Sequence, residues 1–376
     1  MMLRKLEQEE HGKTRKLWEQ IFTEDTKEFL DYYYSVKTVE NEIYVIEEDG
    51  DIRAMLHLNP YVIQIGNRVF PSHYIVAVAT EESYRKRGYM AKLLGKAAED
   101  MKENGEAFTF LMPAAEAIYY PHGFRFVYRQ RQDSIIGRKT ENPEISISVA
   151  AQEDCKELAE LANQILKERY EIYAKRDRYY YERLLQEFQS ENGGLILIKE
   201  AGKPAGFFAY GKEEFYEIME PLFLRGKERF LQNGVYFLTQ DETTEVHING
   251  CVEGGIEKPM IMAKILDVPK MLECMKVKEE VNLLLTVLDE PGGNELGTFE
   301  IFGKKEIRVV ELKSFGEEKG VKAASVERLP EKITIGDLTS IVFGYLQVEE
   351  MNLTEHLKNE LRKIQSLNRV FLNEVV

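Results

Sequence analysis

The stretch YRKRGYMAKLLGKAAEDMKENG, residues 84–105, decides the fold. Met90, Leu93, Leu94, Ala97 and Met101 fall on one face, so the run predicts an amphipathic helix ended by Asn104-Gly105. IVAVAT (75–80), just upstream, reads as a short buried strand. Between the two stand Arg85, Lys86, Arg87 and Gly88. The first turn of a helix has unbonded amides and the positive end of the dipole, which together favour an anion. Gly88 lets the backbone approach that anion, and the cations add charge-assisted hydrogen bonds. Strand, basic glycine turn and helix therefore read as a pyrophosphate site; taken alone, the turn also fits a solvated cationic helix start.

The rest of the chain bounds the function. Its 376 residues exceed one ordinary core and suggest two or three domains, and 44% hydrophobic with 31% charged residues fits a globular protein. No apolar run approaches the roughly 20 residues of a membrane span. MMLRKLEQEE lacks a secretory pattern, so the expected location is the cytoplasm. The three cysteines, Cys155, Cys251 and Cys274, are too far apart for a disulfide framework or a zinc site. A net charge of −15 argues against general nucleic-acid binding, while tolerating a cationic small molecule.

Upstream of the turn, LRKLEQ reads as a strand, EEHGKTRKLWEQIF and EFLDYYYSVK as helices, and IYVIEEDGDIRAMLHL as a hairpin with an Asp-Gly turn. VIQIGNRVF repeats that device. Downstream, EISISVAAQEDCKELAELANQIL and LILIKEAGKPAGFFAYG repeat the early layout without an equivalent of the basic glycine turn. This suggests an internal duplication whose second copy has lost the site; two unrelated α+β domains are the alternative. After about residue 257 come a strand and helix in IMAKILDVPKMLECM, then three strands, then the helices of ITIGDLTSIVFGYL, capped by Thr334 or Asp337, and TEHLKNELRKIQSL. The expected division is 1–138, 139–257 and 258–376.

The turn resembles the signature of the Gcn5-related N-acetyltransferases (GNAT): Arg or Gln, two residues, Gly, one residue, then Gly or Ala. Arg85 and Gly88 match, and Met90 replaces the small residue. A second block, the strand AFTFLMP followed by IYYPHGF (118–124), matches the family's Tyr, three residues, Gly-Phe. The longer layout, with MAKILDVPKML and ITIGDLTSIVFGY, resembles the enhanced-intracellular-survival branch. That resemblance implies an α+β protein: tandem GNAT folds, the second degenerate, followed by a sterol-carrier-protein-2-like domain. It also implies acetyl-CoA as donor, an amine as acceptor, no metal, and a homo-oligomer, trimer or hexamer.

Amine attack on a thioester needs a neutral amine, a polarised carbonyl and a proton for the departing thiolate. An amine of pKa about 10 must first lose a proton, and a thiol of pKa about 8.5 leaves better beside an acid. Tyr119, at the motif position, is the expected acid. Tyr120 would face away if the segment were extended, and His122 fills a packing position. The resemblance implies the α-carboxylate of Val376 as base, directly or through water, and the apolar ending RVFLNEVV suits a docked end. By the same match Val78, Ala79 and Thr80 would hold pantetheine. Arg85, Lys86, Arg87, Gly88, Tyr89, Met90 and Ala91 would surround the pyrophosphate, and Ala114 and Ala115 the far side. In this fold the loop 22–34 covers the acceptor, so Glu24, Asp25 and Glu28, with Glu374, are candidates to bind a polyamine, aminoglycoside or lysine-like amine. Trp18, Phe22 and Phe29 fit core positions better. A lipid carrier or a CoA sensor without turnover would be the rival functions.

Overall fold

The computed structural model describes residues 1–212, 215–250, 254–290, 292–312 and 329–374. The first stretch contains β1 (Met2–Lys5), α1 (Arg15–Ile21), α2 (Lys27–Ser35), β2 (Glu42–Glu48), β3 (Asp51–Ile65) and β4 (Arg68–Thr80). It continues with α3 (Tyr89–Glu103), β5 (Phe108–Leu111), α4 (Glu116–Tyr119) and β6 (Arg125–Ile136). The Asp-Gly signal is a turn as read: Asp49 and Gly50 both have positive φ, 57° and 81°, the backbone of a tight two-residue hairpin. α3 buries Tyr89, Leu93, Leu94, Ala97 and Met101 against the sheet, each large side chain contributing about 1.5–3 kcal/mol.

The middle stretch holds β7 (Ile145–Val149), α5 (Cys155–Arg169), β8 (Ile172–Ala174), α6 (Arg178–Ser190), β9 (Gly194–Glu200), β10 (Lys203–Lys212), β11 (Tyr216–Phe223), α7 (Phe230–Thr239) and β12 (Glu245–Gly250). Its pairings repeat those of the first. β1-β2-β3-β4-β5 and β7-β9-β10-β11-β12 each run through three antiparallel steps and end in a parallel one. Even the hairpin turn recurs, with Ala201 and Gly202 at φ 47° and 77°. One expectation is corrected here. A basic glycine stretch, Arg225-Gly226-Lys227, does occupy the corresponding place before α7. Its Lys227 is paired with Glu200 and lies over the Phe230 ring. β11 and β12 pair at Glu217↔His247, Ile218↔Ile248 and Met219↔Asn249 and then part, leaving Glu220–Phe223 without a β12 partner among the described residues. The amides of Lys227, Phe230 and Leu231, however, are already taken by the carbonyls of Leu224, Lys227 and Glu228.

The last stretch holds β13 (Ile256–Ile265), α8 (Val268–Leu272), β14 (Lys276–Val277), β15 (Val281–Leu288), β16 (Glu295–Gly303), β17 (Arg308–Leu312), β18 (Glu331–Thr334), α9 (Ile335–Val342), α10 (Glu355–Arg362), β19 (Ile364–Gln365) and β20 (Val370–Phe371). β13 inserts between β5 and β6, pairing antiparallel with both. β6 in turn pairs with β12, so the sheet runs unbroken from β1 to β7. The expected border at 257 thus falls at the start of a strand laddered into the first stretch. Thr334 caps α9 by accepting the Asp337 amide at 3.1 Å. β20 pairs with β8, which pairs with β3, and this carries the chain's last described residues into the interior.

Candidate active site

β4 and β5 share one parallel pair, Tyr74↔Phe110, and then diverge. Beyond Tyr74 the edge of β4 facing β5 has no strand partner among the described residues. Ile75–Thr80 on one side and the segment after Leu111 on the other therefore flank an open wedge. Ala77 has φ 51°, at a bulge in the β3–β4 register. Val78 and Thr80 are half-buried, Ala79 is buried, and Ala114 and Ala115 are exposed on the opposite rim. The basic turn closes the wide end. Gly88, at φ 76°, is the N-cap of α3, and Lys86 has φ 63°. The first helical bond is Lys92 N to Gly88 O at 3.2 Å; the amides of residues 86–91 have no acceptor among the described residues. Six adjacent donors at the positive end of a helix suit a pyrophosphate.

The three cations of the turn are not equivalent. Arg85 bonds the Thr80 carbonyl at 3.3 Å. Arg87 bonds the Ser83 carbonyl and stacks on the Tyr84 ring at 4.4 Å, with Arg53 also over that ring at 4.7 Å. Tyr89 supplies its amide to the turn while its buried hydroxyl donates to Glu48. Lys86 is exposed and has no side-chain partner among the described residues. We therefore predict that Lys86→Ala raises the KM for acetyl-CoA about ten- to a hundredfold with kcat unchanged, the loss of one charge-assisted bond of about 1.5–3 kcal/mol. Steady-state kinetics would show it, and an unchanged KM would remove Lys86 from the phosphate site.

The segment around Tyr119 is helical, which corrects the extended reading. α4 leads directly into a 3-10 turn over Tyr120–His122. Successive residues of a helical turn point about 100° apart, so the two tyrosines still diverge. Tyr119 is buried against Phe124, ring centroids 5.9 Å apart, and Tyr120 is exposed. The Tyr119 hydroxyl makes no hydrogen bond among the described residues, and burial pushes its pKa up to about 12, keeping the proton on. His122 is half-buried, and burial, with the Lys264 charge, lowers its pKa.

A buried cation clamps this turn. Arg125 donates to the Tyr120 carbonyl at 3.0 Å and the Phe124 carbonyl at 2.9 Å, and stacks on the Tyr120 ring at 3.4 Å. Its other arm reaches Glu290, between β15 and β16, at 2.7 Å. At Gly336, in the first turn of α9, a Cβ would stand 2.5 Å from the Arg125 Cζ, so only glycine leaves room for the guanidinium.

Comparison with known proteins bears on this geometry. The family model of the acetyltransferase (GNAT) domain matches residues 2–127, the span of the wedge, the basic turn and Tyr119. Residues 2–127 are a GNAT acetyltransferase domain. Solved structures extend the likeness of fold over the whole chain. A conserved protein of Enterococcus faecalis V583 is 17% identical with TM-score 0.75, covering 97% of this chain and 93% of its own. A GCN5-related N-acetyltransferase from Anabaena variabilis is 16% identical at TM-score 0.72, covering 99% and 98%. Eis1 from Mycobacterium abscessus is 10% identical at TM-score 0.72, covering 100% of both chains. No curated protein matches the chain.

Behind the wedge of the acetyltransferase domain lies a buried polar interior. The Tyr74 hydroxyl bonds the Met112 amide and lies within electrostatic reach of Tyr119, Glu374 and Glu187. The Tyr61 ring packs on Phe110 at 5.9 Å, and Lys37 lies over Tyr61 at 5.6 Å. Glu374, 1% exposed, accepts from Arg176 at 2.6 Å, while its Oε2 is buried without a partner. Arg176 also pairs with Glu220 at 3.2 Å, and Glu220 accepts from Tyr180 and Tyr181. Glu187 of α6 accepts from Tyr32 of α2 at 3.2 Å, so the middle stretch roofs the acetyltransferase domain. Burial raises the pKa values of Glu187 and Glu374 and lowers that of Lys37.

The four acidic candidates part company here. Glu374 reaches this interior. Asp25 accepts the Trp18 indole N–H at 2.6 Å and so ties α1 to the loop before α2. Glu28 is exposed in the first turn of α2, and Glu24 is exposed too. Val376 lies outside the described residues. Lys37, Tyr61, Arg176, Glu187 and Glu220 escaped the reading of the sequence. Glu187 alone left a local signal, since it falls beside Phe188 on the buried side of α6 with Tyr181 and Leu185.

Proposed function

We propose that the chain transfers the acetyl group of acetyl-CoA to a primary amine of a small cationic acceptor, such as an aminoglycoside, a polyamine or a lysine-like amine. The observation that carries the reading is the open β4–β5 wedge between a free-amide turn and an unbonded, protonated Tyr119. In this reading Val78, Ala79 and Thr80 offer backbone groups to pantetheine. Residues 86–91 cradle the pyrophosphate, and Ala114 and Ala115 line the far rim. The attacking nitrogen adds to the thioester carbonyl; collapse breaks the C–S bond, the thiolate takes the Tyr119 proton, and the proton shed by the new amide nitrogen restores the phenol. The frame is tandem acetyltransferase folds, 1–138 and 139–257, with a sterol-carrier-like unit over 258–376; the repeated strand order favours it.

The acceptor's ammonium must lose its proton before attack. The interior offers Glu374, whose Oε2 is unbonded; the family resemblance points to the Val376 carboxylate two residues on. Adding one residue after Val376 separates them, since it abolishes turnover only if the terminal carboxylate is the base. Burial, reinforced by Glu220, holds the Glu374 carboxyl above the usual carboxylate range, against the opposing pull of Arg176. A base works when deprotonated, so kcat/KM should fall as pH drops through this raised pKa. The acid limb is expected above the ordinary glutamate value of about 4.3. It should move or vanish in Glu374→Gln. An acid limb unmoved by that change would exclude Glu374.

Among the described residues of 258–376, one apolar cavity, lined by Leu272, Met275, Leu338, Ile341 and Leu361, measures about 10 Å³, room for roughly one water. The test of the function is CoA release, read with a thiol reagent, against polyamines, aminoglycosides and lysine peptides. Release with one class supports the enzyme; tight acetyl-CoA binding without release from any amine supports the sensor.

A further inference from the structure

A second cleft, of about 450 Å³, opens where β6, the end of α5, the turn after α9 and residues 368–370 meet. Four arginines line it, Arg129, Arg131, Arg169 and Arg369, against one glutamate in its wall, Glu257. Three of the four have carboxylate neighbours. Arg131 pairs with Glu257 at 3.1 Å, Arg169 with Glu228 at 3.0 Å, and Arg369 loosely with Glu171 at 3.6 Å. Arg129 has none among the described residues. Its guanidinium lies over the Tyr345 ring at 4.3 Å, and Tyr345 stacks at 6.1 Å on Phe126. A stacked guanidinium spends its face on the ring, and its in-plane N–H donors remain available for a planar oxyanion.

We propose that this cleft is a binding site for a small, multiply charged oxyanion, distinct from the pyrophosphate turn at the head of α3. Its volume fits a small-molecule site rather than a single ion. Arginine forks accept phosphate and carboxylate in the same bidentate geometry. The site also joins three separate parts of the chain. The Arg369 carbonyl accepts the amides of Glu171 and Ile172, at 2.7 and 3.2 Å, and β20 follows directly on its way to Glu374. An anion held by Arg129 and Arg369 therefore ties β6 to the segment that carries Glu374 into the acceptor interior.

The test is calorimetric titration of the full chain, saturated with CoA so that the α3 turn is occupied, using inorganic pyrophosphate and, separately, citrate. One site of submillimolar affinity is expected for at least one of the two, and which one binds tells a phosphate-bearing ligand from a polycarboxylate. Arg129→Met and Arg369→Met should each weaken it tenfold or more, and Lys86→Ala should leave it unchanged. The proposal is overturned if neither anion binds up to about 10 mM, weaker than about −3 kcal/mol. It is equally overturned if the double variant binds as well as the parent. Sedimentation supplies the remaining control: a change of assembly state in Arg129→Met without anion would make the cleft an interface between copies instead.

Discussion

Tyr119→Phe should lower kcat by a factor of about 10²–10⁴, the usual contribution of a positioned general acid, and leave acetyl-CoA affinity within about twofold. The Tyr119 hydroxyl has no hydrogen-bond partner among the described residues, so its removal orphans no buried donor or acceptor and should leave the melting temperature nearly unchanged. Its pKa of about 12 keeps the phenol protonated throughout the working range, and a departing thiolate of pKa about 8.5 draws the proton only as the C–S bond breaks. Rapid-mix measurement of CoA release, with binding followed separately, checks both halves. Near-normal turnover in the variant would mean that water protonates the sulfur and that Tyr119 is a packing residue.

Much of this site is local, and local features are what a sequence displays. The basic turn, the helix behind it and Tyr119 all fall within residues 75–124, where strand, turn and helix periodicities follow directly from residue spacing. The Asp49-Gly50 turn and the Thr334 cap were legible for the same reason. Non-local pairings were not. Nothing in IEKPMIMAKI says that it ladders between β5 and β6, since a strand's own pattern does not name its partner. The Arg125–Glu290 and Arg176–Glu374 pairs span 165 and 198 residues, and isolated charges in a sequence read as surface. The stretch Arg225-Gly226-Lys227 shows the converse limit. It has the composition of the first turn, yet the amides of Lys227, Phe230 and Leu231 are already bonded to nearby carbonyls and Lys227 is paired with Glu200, and composition alone reports neither.

Arg125 carries the second large effect. Arg125→Met removes a guanidinium that is 5% exposed and leaves Glu290, one of whose oxygens is already buried without a partner, as an uncompensated charge. Breaking such a pair costs about 3–5 kcal/mol, a large share of the roughly 5–15 kcal/mol that holds a domain folded. The single variant should therefore melt far earlier than the parent, and its lost activity would say little about chemistry. Arg125→Met combined with Glu290→Met separates the two roles. Replacing both partners of a buried pair with apolar side chains is often neutral, so the melting temperature should recover. Turnover should not recover with it, because the Tyr120 and Phe124 carbonyls have still lost the clamp that sets the angle of the Tyr119 turn. A displacement of about 1 Å at a reacting group can cost up to about 10²-fold, so kcat of the double variant should stay ten- to a hundredfold down with the KM for acetyl-CoA unchanged. Gly336→Ala approaches the same point from the other side of the clamp: its Cβ displaces the guanidinium while keeping its charge, and it should lower kcat in the same way. Recovery of kcat together with stability in the double variant would make Arg125 a purely structural residue, and Tyr119 would then be held by its packing on Phe124 alone.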